Sequence, residues 1–325
     1  MITPGGSIMP SWWAVTFLLI ATDPTVRGEA AFVPTPAEAE VPERFRLPAA
    51  TFTFEMSPRR TTPRYRVWAV RFPSPIETPD VENNTVHAEY FEPLADPGPR
   101  GRPAVVVLHI LGADFALARY YAARLADRGV AALFVKLPYY GERRPPGKRF
   151  LSTDLTRTVS AMRQGVCDVR RAVAWLATRP GNDPNRLGVT GISLGGIVSA
   201  TAAAVDPTIE RACLLLAGGG LAEILWEMPE GAPYRALWIA SGRTKADLER
   251  LTAPYDPLTY AAGLRGKRVL MMAGNVDEVI PPRATRALWE AAGRPELVWF
   301  DCGHYSAVGY LLPGLRRAVD FLAED

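Results

Sequence analysis

Ser193 stands in "RLGVTGISLGG" (Arg186 to Gly196), where an apolar run gives way to glycine and the serine sits between Gly191 and Gly195. A strand, then a serine, then a helix opening with Leu194 is the context in which G-x-S-x-G forms a nucleophile elbow. The turn is tight enough to strain its central residue, and side chains two positions to either side would collide with it. Glycine removes them. That geometry leaves Ser193 Oγ at the carboxyl end of a sheet, over the positive end of the following helix. A serine hydroxyl is a weak nucleophile until a base takes its proton, and the base needs an orienting acid.

The chain has three histidines, His87, His109 and His304. Only His304 follows Ser193, in "DCGHYS" after the last apolar run, which suits the chain order serine, acid, histidine. His109 ends the first buried strand and His87 precedes that sheet. For the acid, "AGNVDEVIPP" places Asp277 just beyond the strand at 267–273, on the same carboxyl edge. Glu278, Asp301 and Asp256 are its rivals, although Asp256 before Pro257 reads better as a helix N-cap. A tetrahedral oxyanion needs two N–H donors. One is the amide of Leu194, and the other belongs to the loop "LHILGAD", at Leu111 or at Ile110. Each donor is typically worth about 3 to 4 kcal/mol.

The elements that must hold these residues read from pattern. "RYRVWAVRF" (64–72) and "TVHAEYFEP" (85–93) alternate and predict two half-buried antiparallel strands. Six later runs are continuously apolar, beginning near Pro103, Gly129, Arg186, Arg211, Lys267 and Glu296, and predict strands buried on both faces. Helical patterns at 115–128, 155–178, 194–205, 283–292 and 315–324 separate or follow them. The fold class is therefore α/β, with a mostly parallel central sheet covered by helices on both faces and antiparallel strands at its N-terminal side. From Gly220 to Tyr260 the chain is longer than one crossover helix needs, which predicts a small cap-like insertion. Its Trp226, Met228, Tyr234 and Trp238 either wall an acyl pocket or close a satellite core.

Domain organisation follows as an extension over 1–63 and a catalytic-type domain over 64–325, with the insertion at about 220–260. The apolar run "SWWAVTFLLIA" (11–21) is shorter than the roughly 20 residues that span a bilayer and has the length of a signal-peptide core. It predicts a signal segment of about 30 residues, cleavage after Gly28-Glu29-Ala30, and an exported or periplasmic protein. A cytoplasmic extension is the alternative, because no Lys or Arg precedes the run. Residues 22–63, rich in Pro, Ala and Glu, predict a linker, and removing residues 1–45 is expected to cost little stability.

With 37 Lys and Arg against 34 Asp and Glu, well mixed, there is no basic stripe for nucleic acid. Three cysteines, Cys167, Cys213 and Cys302, form neither a C-x-x-C pair nor a disulfide framework. The loop "YYGERRPPGKR" (139–149) places Tyr139 and Arg143 near the mouth of the predicted site. It is either a solvated basic loop or a contact to an acidic substrate group.

In order, "VVVLHILG", "VKLPYYGER", "GISLGG", "GNVDEVIPP" and "DCGHYS" resemble the α/β-hydrolase superfamily over roughly residues 101–323. The helix "DVRRAVAWLATRP" leading into "NRLGVTGISLGG" is most similar to its dienelactone-hydrolase-like and acetylesterase-like branches. The resemblance implies a serine esterase with a Ser193–His304–Asp277 triad, no metal and no cofactor. It also implies a small-molecule ester substrate, such as an acetylated sugar; the basic loop adds an acidic ester, and the loop and the insertion together offer Trp226, Trp238, Tyr139 and Arg143 as candidate substrate contacts. A serine peptidase, an acyltransferase or a catalytically silent binding protein on the same fold are the alternatives. Two departures stand out. The usual His-Gly doublet reads His109-Ile110, and serine occupies the position where dienelactone hydrolases carry cysteine, which favours an oxygen ester.

Overall fold

The computed structural model describes residues 24–112 and 115–324. Among the described residues ten strands form one sheet. They are β1 (Val26–Phe32), β2 (Ala50–Thr61), β3 (Tyr65–Pro73), β4 (Thr85–Pro93), β5 (Arg102–Leu108), β6 (Ala131–Val135), β7 (Asn182–Ile192), β8 (Arg211–Leu215), β9 (Arg268–Gly274) and β10 (Glu296–Phe300). Their spatial order is β1-β2-β3-β4-β6-β5-β7-β8-β9-β10. From β1 through β4 to β6 the pairs are antiparallel, and from β6 to β10 they are parallel.

The parallel strands are the continuous apolar runs, and they are covered on both faces as such runs require. Helices α2 (Leu155–Ala177), α3 (Leu194–Val205) and α8 (Pro282–Ala291) close one face, where Val106, Leu133 and Val189 are fully buried. Helices α1 (Phe115–Asp127) and α9 (Leu311–Ala323) close the other, over Val105, Val107 and Phe134. Because β7, β8, β9 and β10 are parallel neighbours, the loops after β7, β9 and β10 open on one edge. That edge is where the opening motif, "GNVDEVIPP" and "DCGHYS" all fall.

The expected linker at 22–63 is overturned across its described residues. β1 pairs with β2 in register from Val26–Met56 to Phe32–Ala50, and β2 pairs in turn with β3. Phe52, Phe54 and Met56 alternate inward along β2 and are buried, as is Phe45 before it. The boundary at residue 63 therefore falls between two paired strands rather than at a domain edge. Gly28-Glu29-Ala30 lies within β1, so cleavage there would cut the strand in two. The apolar run at 11–21, and the signal segment read from it, lie outside the described residues. Among those residues no helix is long and apolar enough to cross a membrane.

Between β8 and β9 the chain builds four helices, α4 (Leu221–Glu227), α5 (Ala232–Ala240), α6 (Lys245–Thr252) and α7 (Pro257–Tyr260). Asp256 caps α7 by accepting from the Leu258 amide at 2.8 Å, and it also accepts from the amides of Gly220 and Leu221. It ties the two ends of the insertion together.

Candidate active site

Ser193 sits between β7 and α3 with φ 55° and ψ −118°, a backbone state that L residues avoid. The flanking glycines answer a close approach at that turn. A Cβ on Gly191 would lie 2.3 Å from the carbonyl carbon of Gly195, and a Cβ on Gly195 would lie 2.7 Å from the carbonyl oxygens of Leu108 and His109. The collision is between the two sides of the turn and with β5, rather than with the serine. Ser193 is anchored by its N–H to the Leu215 carbonyl, 2.9 Å, and by its carbonyl to the Ile197 amide, 2.9 Å.

The three residues singled out from sequence meet. His304 Nε2 lies 2.9 Å from Ser193 Oγ, and His304 Nδ1 lies 2.8 Å from Asp277 Oδ2. Asp277 can only accept, so Nδ1 carries the proton and Nε2 is free to accept from the serine hydroxyl. The other Asp277 oxygen accepts from the amides of Val279 and Ile280 at 2.8 and 2.7 Å, which fixes the carboxylate's orientation in a buried position. The rivals for the acid lie elsewhere. Asp301 accepts from Asn275 on the surface, and Asp256 holds the insertion. Glu278 accepts from the backbone N–H of His304 at 2.8 Å, a clamp on the histidine loop that sequence reading did not assign.

Leu194 opens α3, where the first amides have no partner within the helix. Facing it, Ile110, Leu111 and Gly112 line the same cavity as Ser193 and His304. This loop is held from beneath by His109. The Leu137 N–H donates to His109 Nε2 at 3.1 Å, so Nδ1 carries the proton and donates to the Ile110 carbonyl at 2.7 Å. Burial pushes the imidazole pKa down to about 4, although its bond to Ile110 opposes the shift. The Leu111 carbonyl accepts from the Tyr140 hydroxyl.

Four candidate substrate contacts are corrected. Arg143 is fully buried, its guanidinium 2.7 Å from Asp168 and bonded to the carbonyls of Asn83 and Lys136. A buried cation needs such partners, and at 0% exposure the guanidinium is out of a substrate's reach. Tyr139 is buried, donating to Asp80 from its hydroxyl and to Asn83 Oδ1 from its amide. Trp226 and Trp238 pack with Leu155, Ala222 and Leu248 in a satellite core, and Trp238 Nε1 donates to the Thr244 carbonyl at 2.8 Å. From the insertion, Met228 and Glu230 reach the cavity at Ser193 instead, and Glu230 accepts from the hydroxyl of Tyr305, the residue after His304.

A family model described as "Alpha/beta hydrolase domain containing 18" matches residues 69–218, and one described as "Prolyl oligopeptidase family" matches residues 149–295. Uncharacterized proteins from two strains of Mycobacterium tuberculosis, CDC 1551 and H37Rv, are 30% identical over 225 residues, 66% of this chain and 52% of theirs. The chain thus spans about half the length of these curated relatives. Among solved structures, an acetyl xylan esterase from Paenibacillus sp. R4 superposes with a TM-score of 0.67 at 18% identity, covering 82% of this chain and 88% of the other. Acetyl xylan esterase 1 from Thermoanaerobacterium sp. JW/SL YS485 gives 0.64 at 18% identity, covering 82% and 87%. The Pyrococcus furiosus esterase Pf2001 gives 0.56 at 18% identity, covering 81% and 96%. With the sheet order, the strand-to-helix turn at Ser193, the solved structures and two hydrolase family models that each match just under half of the chain in agreement, the chain has the α/β-hydrolase fold.

Proposed function

We propose that the protein is a serine hydrolase that cleaves carboxylic esters through an acyl-enzyme on Ser193. The observation that carries the reading is the continuous hydrogen-bonded chain from Ser193 Oγ through His304 to Asp277. Ser193 Oγ attacks the ester carbonyl carbon while His304 Nε2 takes its proton. Asp277 keeps the imidazole in the accepting tautomer and stabilises the imidazolium that forms. The tetrahedral oxyanion is met by the Leu194 amide and by the Leu111 amide. The Leu111 N–H shares a planar trans peptide with the Ile110 carbonyl, and because that carbonyl is turned toward His109 the N–H points the opposite way. Collapse of the intermediate expels the alkoxide, which takes the proton from His304 and leaves as the alcohol. Water then repeats the sequence on the acyl-enzyme and releases the carboxylic acid.

The test is a fluorophosphonate label, which reacts with an activated serine and not with an ordinary one. Wild-type protein is expected to be labelled at Ser193 within minutes and to hydrolyse p-nitrophenyl esters. Ser193→Ala should lose both, with kcat down on the order of 10⁶-fold. A folded Ser193→Ala variant that keeps a tenth of the activity rules the reading out.

The match to the prolyl oligopeptidase family model over 149–295 favours peptide cleavage as a second reading. The two are separated by comparing p-nitrophenyl esters with peptidyl p-nitroanilides at equal concentration. Export remains a proposal resting on the apolar run at 11–21.

A further inference from the structure

We infer that the ester's acyl group is an apolar chain well longer than acetyl, an inference that rests on the esterase reading above. A cavity of about 450 Å³ opens at Ser193 and His304. It is walled by the carboxyl ends of three successive strands, through Leu215, Met272 and Phe300, and by Leu311 and Gly314 of α9. Leu215 and Met272 are themselves buried, so this wall of the cavity lies against the sheet. Glu230 is the only Asp, Glu, Lys or Arg among the described lining residues, and one of its carboxylate oxygens accepts from the Tyr305 hydroxyl. Apart from Glu230, Ser193, His304, Tyr305 and Tyr310, the described side chains lining it are apolar.

An acetyl group would fill only the first few ångströms of this space. The rest would hold water against apolar walls, where a water molecule lacks the two to four polar partners it needs. A hydrocarbon chain displaces that water and meets matching surface. The acyl side is the one concerned, because the cavity is lined by Ser193, whose hydroxyl attacks the acyl carbon, and by the Ile110–Gly112 loop that carries one predicted oxyanion donor.

Two backbone features keep the cavity open. Leu216, on its wall, is held at φ 47°, in the left-handed region that leucine rarely adopts. Its amide donates to the Met272 carbonyl at 2.7 Å, which fixes that conformation. Gly314 lies inside α9, where glycine weakens a helix relative to alanine. A Cβ there would meet the Phe300 ring at an ordinary 3.6 Å, so packing does not exclude a side chain. What the missing side chain leaves is room in the cavity.

The experiment measures kcat/KM of wild-type protein on p-nitrophenyl acetate, butyrate, octanoate and dodecanoate, and on ethyl and octyl acetate, with fluorophosphonate labelling of Ser193 run alongside. A buried methylene is worth up to about four-fold, so octanoate should exceed acetate by at least about ten-fold, and octyl acetate should gain little over ethyl acetate. Gly314→Leu should cut octanoate by about ten-fold or more and acetate by less than about three-fold. Labelled, active protein that prefers acetate, or that gains from a long alcohol rather than a long acyl chain, overturns this inference and leaves the esterase reading standing. Protein whose Ser193 is not labelled and that cleaves no ester overturns both. The wild-type profile decides the matter even if Gly314→Leu does not fold.

Discussion

Arg170 on α2 and Glu38 in the turn before β2 are 132 positions apart in sequence and meet as a buried two-pronged ion pair, with Nη1–Oε1 at 3.0 Å and Nη2–Oε2 at 2.6 Å. The same guanidinium reaches Asp206 through Nε at 2.9 Å and the Phe45 carbonyl through Nη1, while Glu38 accepts from the Leu47 amide at 2.9 Å. One charge cluster thus holds residues 38–47 against the domain.

Breaking that cluster should be expensive, contrary to the expectation that residues 1–45 are dispensable. Glu38→Gln leaves a buried guanidinium with Asp206 as its remaining carboxylate, and removal of one partner of a buried pair typically costs about 3 to 5 kcal/mol. Burial pushes the Glu38 pKa up, but the Arg170 hydrogen bonds and the Leu47 amide together pull it below the usual glutamate value of 4.5. A depressed carboxylate contributes stability that is present above the unfolded pKa and lost as pH falls through the folded one. Urea unfolding at pH 7 and pH 3 should therefore show a smaller acid loss in Glu38→Gln than in wild type, from a lower starting stability. Equal midpoints for the two proteins at pH 7 would refute the clamp.

How legible these features were depends on whether the sequence shows a side chain's partners. The stretch "TFTFEM" in β2 carries a period of two, with Phe52, Phe54 and Met56 inward, and so was readable as a strand; the Pro, Ala and Glu around it hid the pattern. Ser193, His304 and Asp277 could be placed because chain order and a parallel sheet leave few candidates on one edge. Arg143 could not, because its partners Asn83 and Asp168 lie 60 and 25 positions away and nothing local announces them. An exposed-looking basic loop and a buried charge cluster have the same one-dimensional appearance.

Asp277→Asn should lower kcat by about 10³ to 10⁴-fold, since an amide can hold the imidazole in the wrong tautomer. Asp301→Asn, at a surface carboxylate that accepts from Asn275, should stay within about two-fold of wild type, because surface changes of this kind are usually small. Glu278→Gln keeps an acceptor for the His304 amide and should fall between the two. Steady-state kinetics on a single p-nitrophenyl ester ranks all three, and a deeper lesion at Asp301 than at Asp277 would show the acid to be misassigned.

Trp238→Ala and Trp226→Ala should act on stability and leave chain-length preference alone. Both rings belong to the satellite core with Leu155 and Leu248, not to the cavity at Ser193. Truncating a buried tryptophan such as Trp238 typically costs about 3 to 5 kcal/mol, and Trp238 also loses its bond to Thr244, while the half-buried Trp226 should cost less. Melting temperature should drop while the octanoate-to-acetate ratio of kcat/KM stays constant. A ratio that shifts several-fold with an unchanged melting temperature would return these residues to the pocket wall.

His109 does not touch Ser193, yet it should govern the reaction through the loop that supplies the second oxyanion donor. Its replacement by alanine frees the Ile110 carbonyl and leaves the Leu137 amide without its acceptor, so the Leu111 N–H loses its fixed aim. Removing a donor outright costs about 10² to 10³-fold in kcat. A donor that is present but loosely aimed should cost less, about 10 to 100-fold, with KM nearly unchanged because the ground state uses it little. The same residue has a pH signature. Burial holds the folded imidazole at a pKa of about 4 against 6.5 when exposed, so between those values the unfolded chain binds a proton that the folded chain refuses. Stability from this group is complete above about pH 6.5 and declines as pH falls toward 4, by about 3 kcal/mol at most. Denaturant unfolding from pH 7 to pH 4 should show this decline in wild type and a shallower one in His109→Ala. Parallel pH profiles for the two proteins would mean that His109 is not held neutral beneath the loop. A kcat within two-fold of wild type would mean that the loop keeps its aim without it.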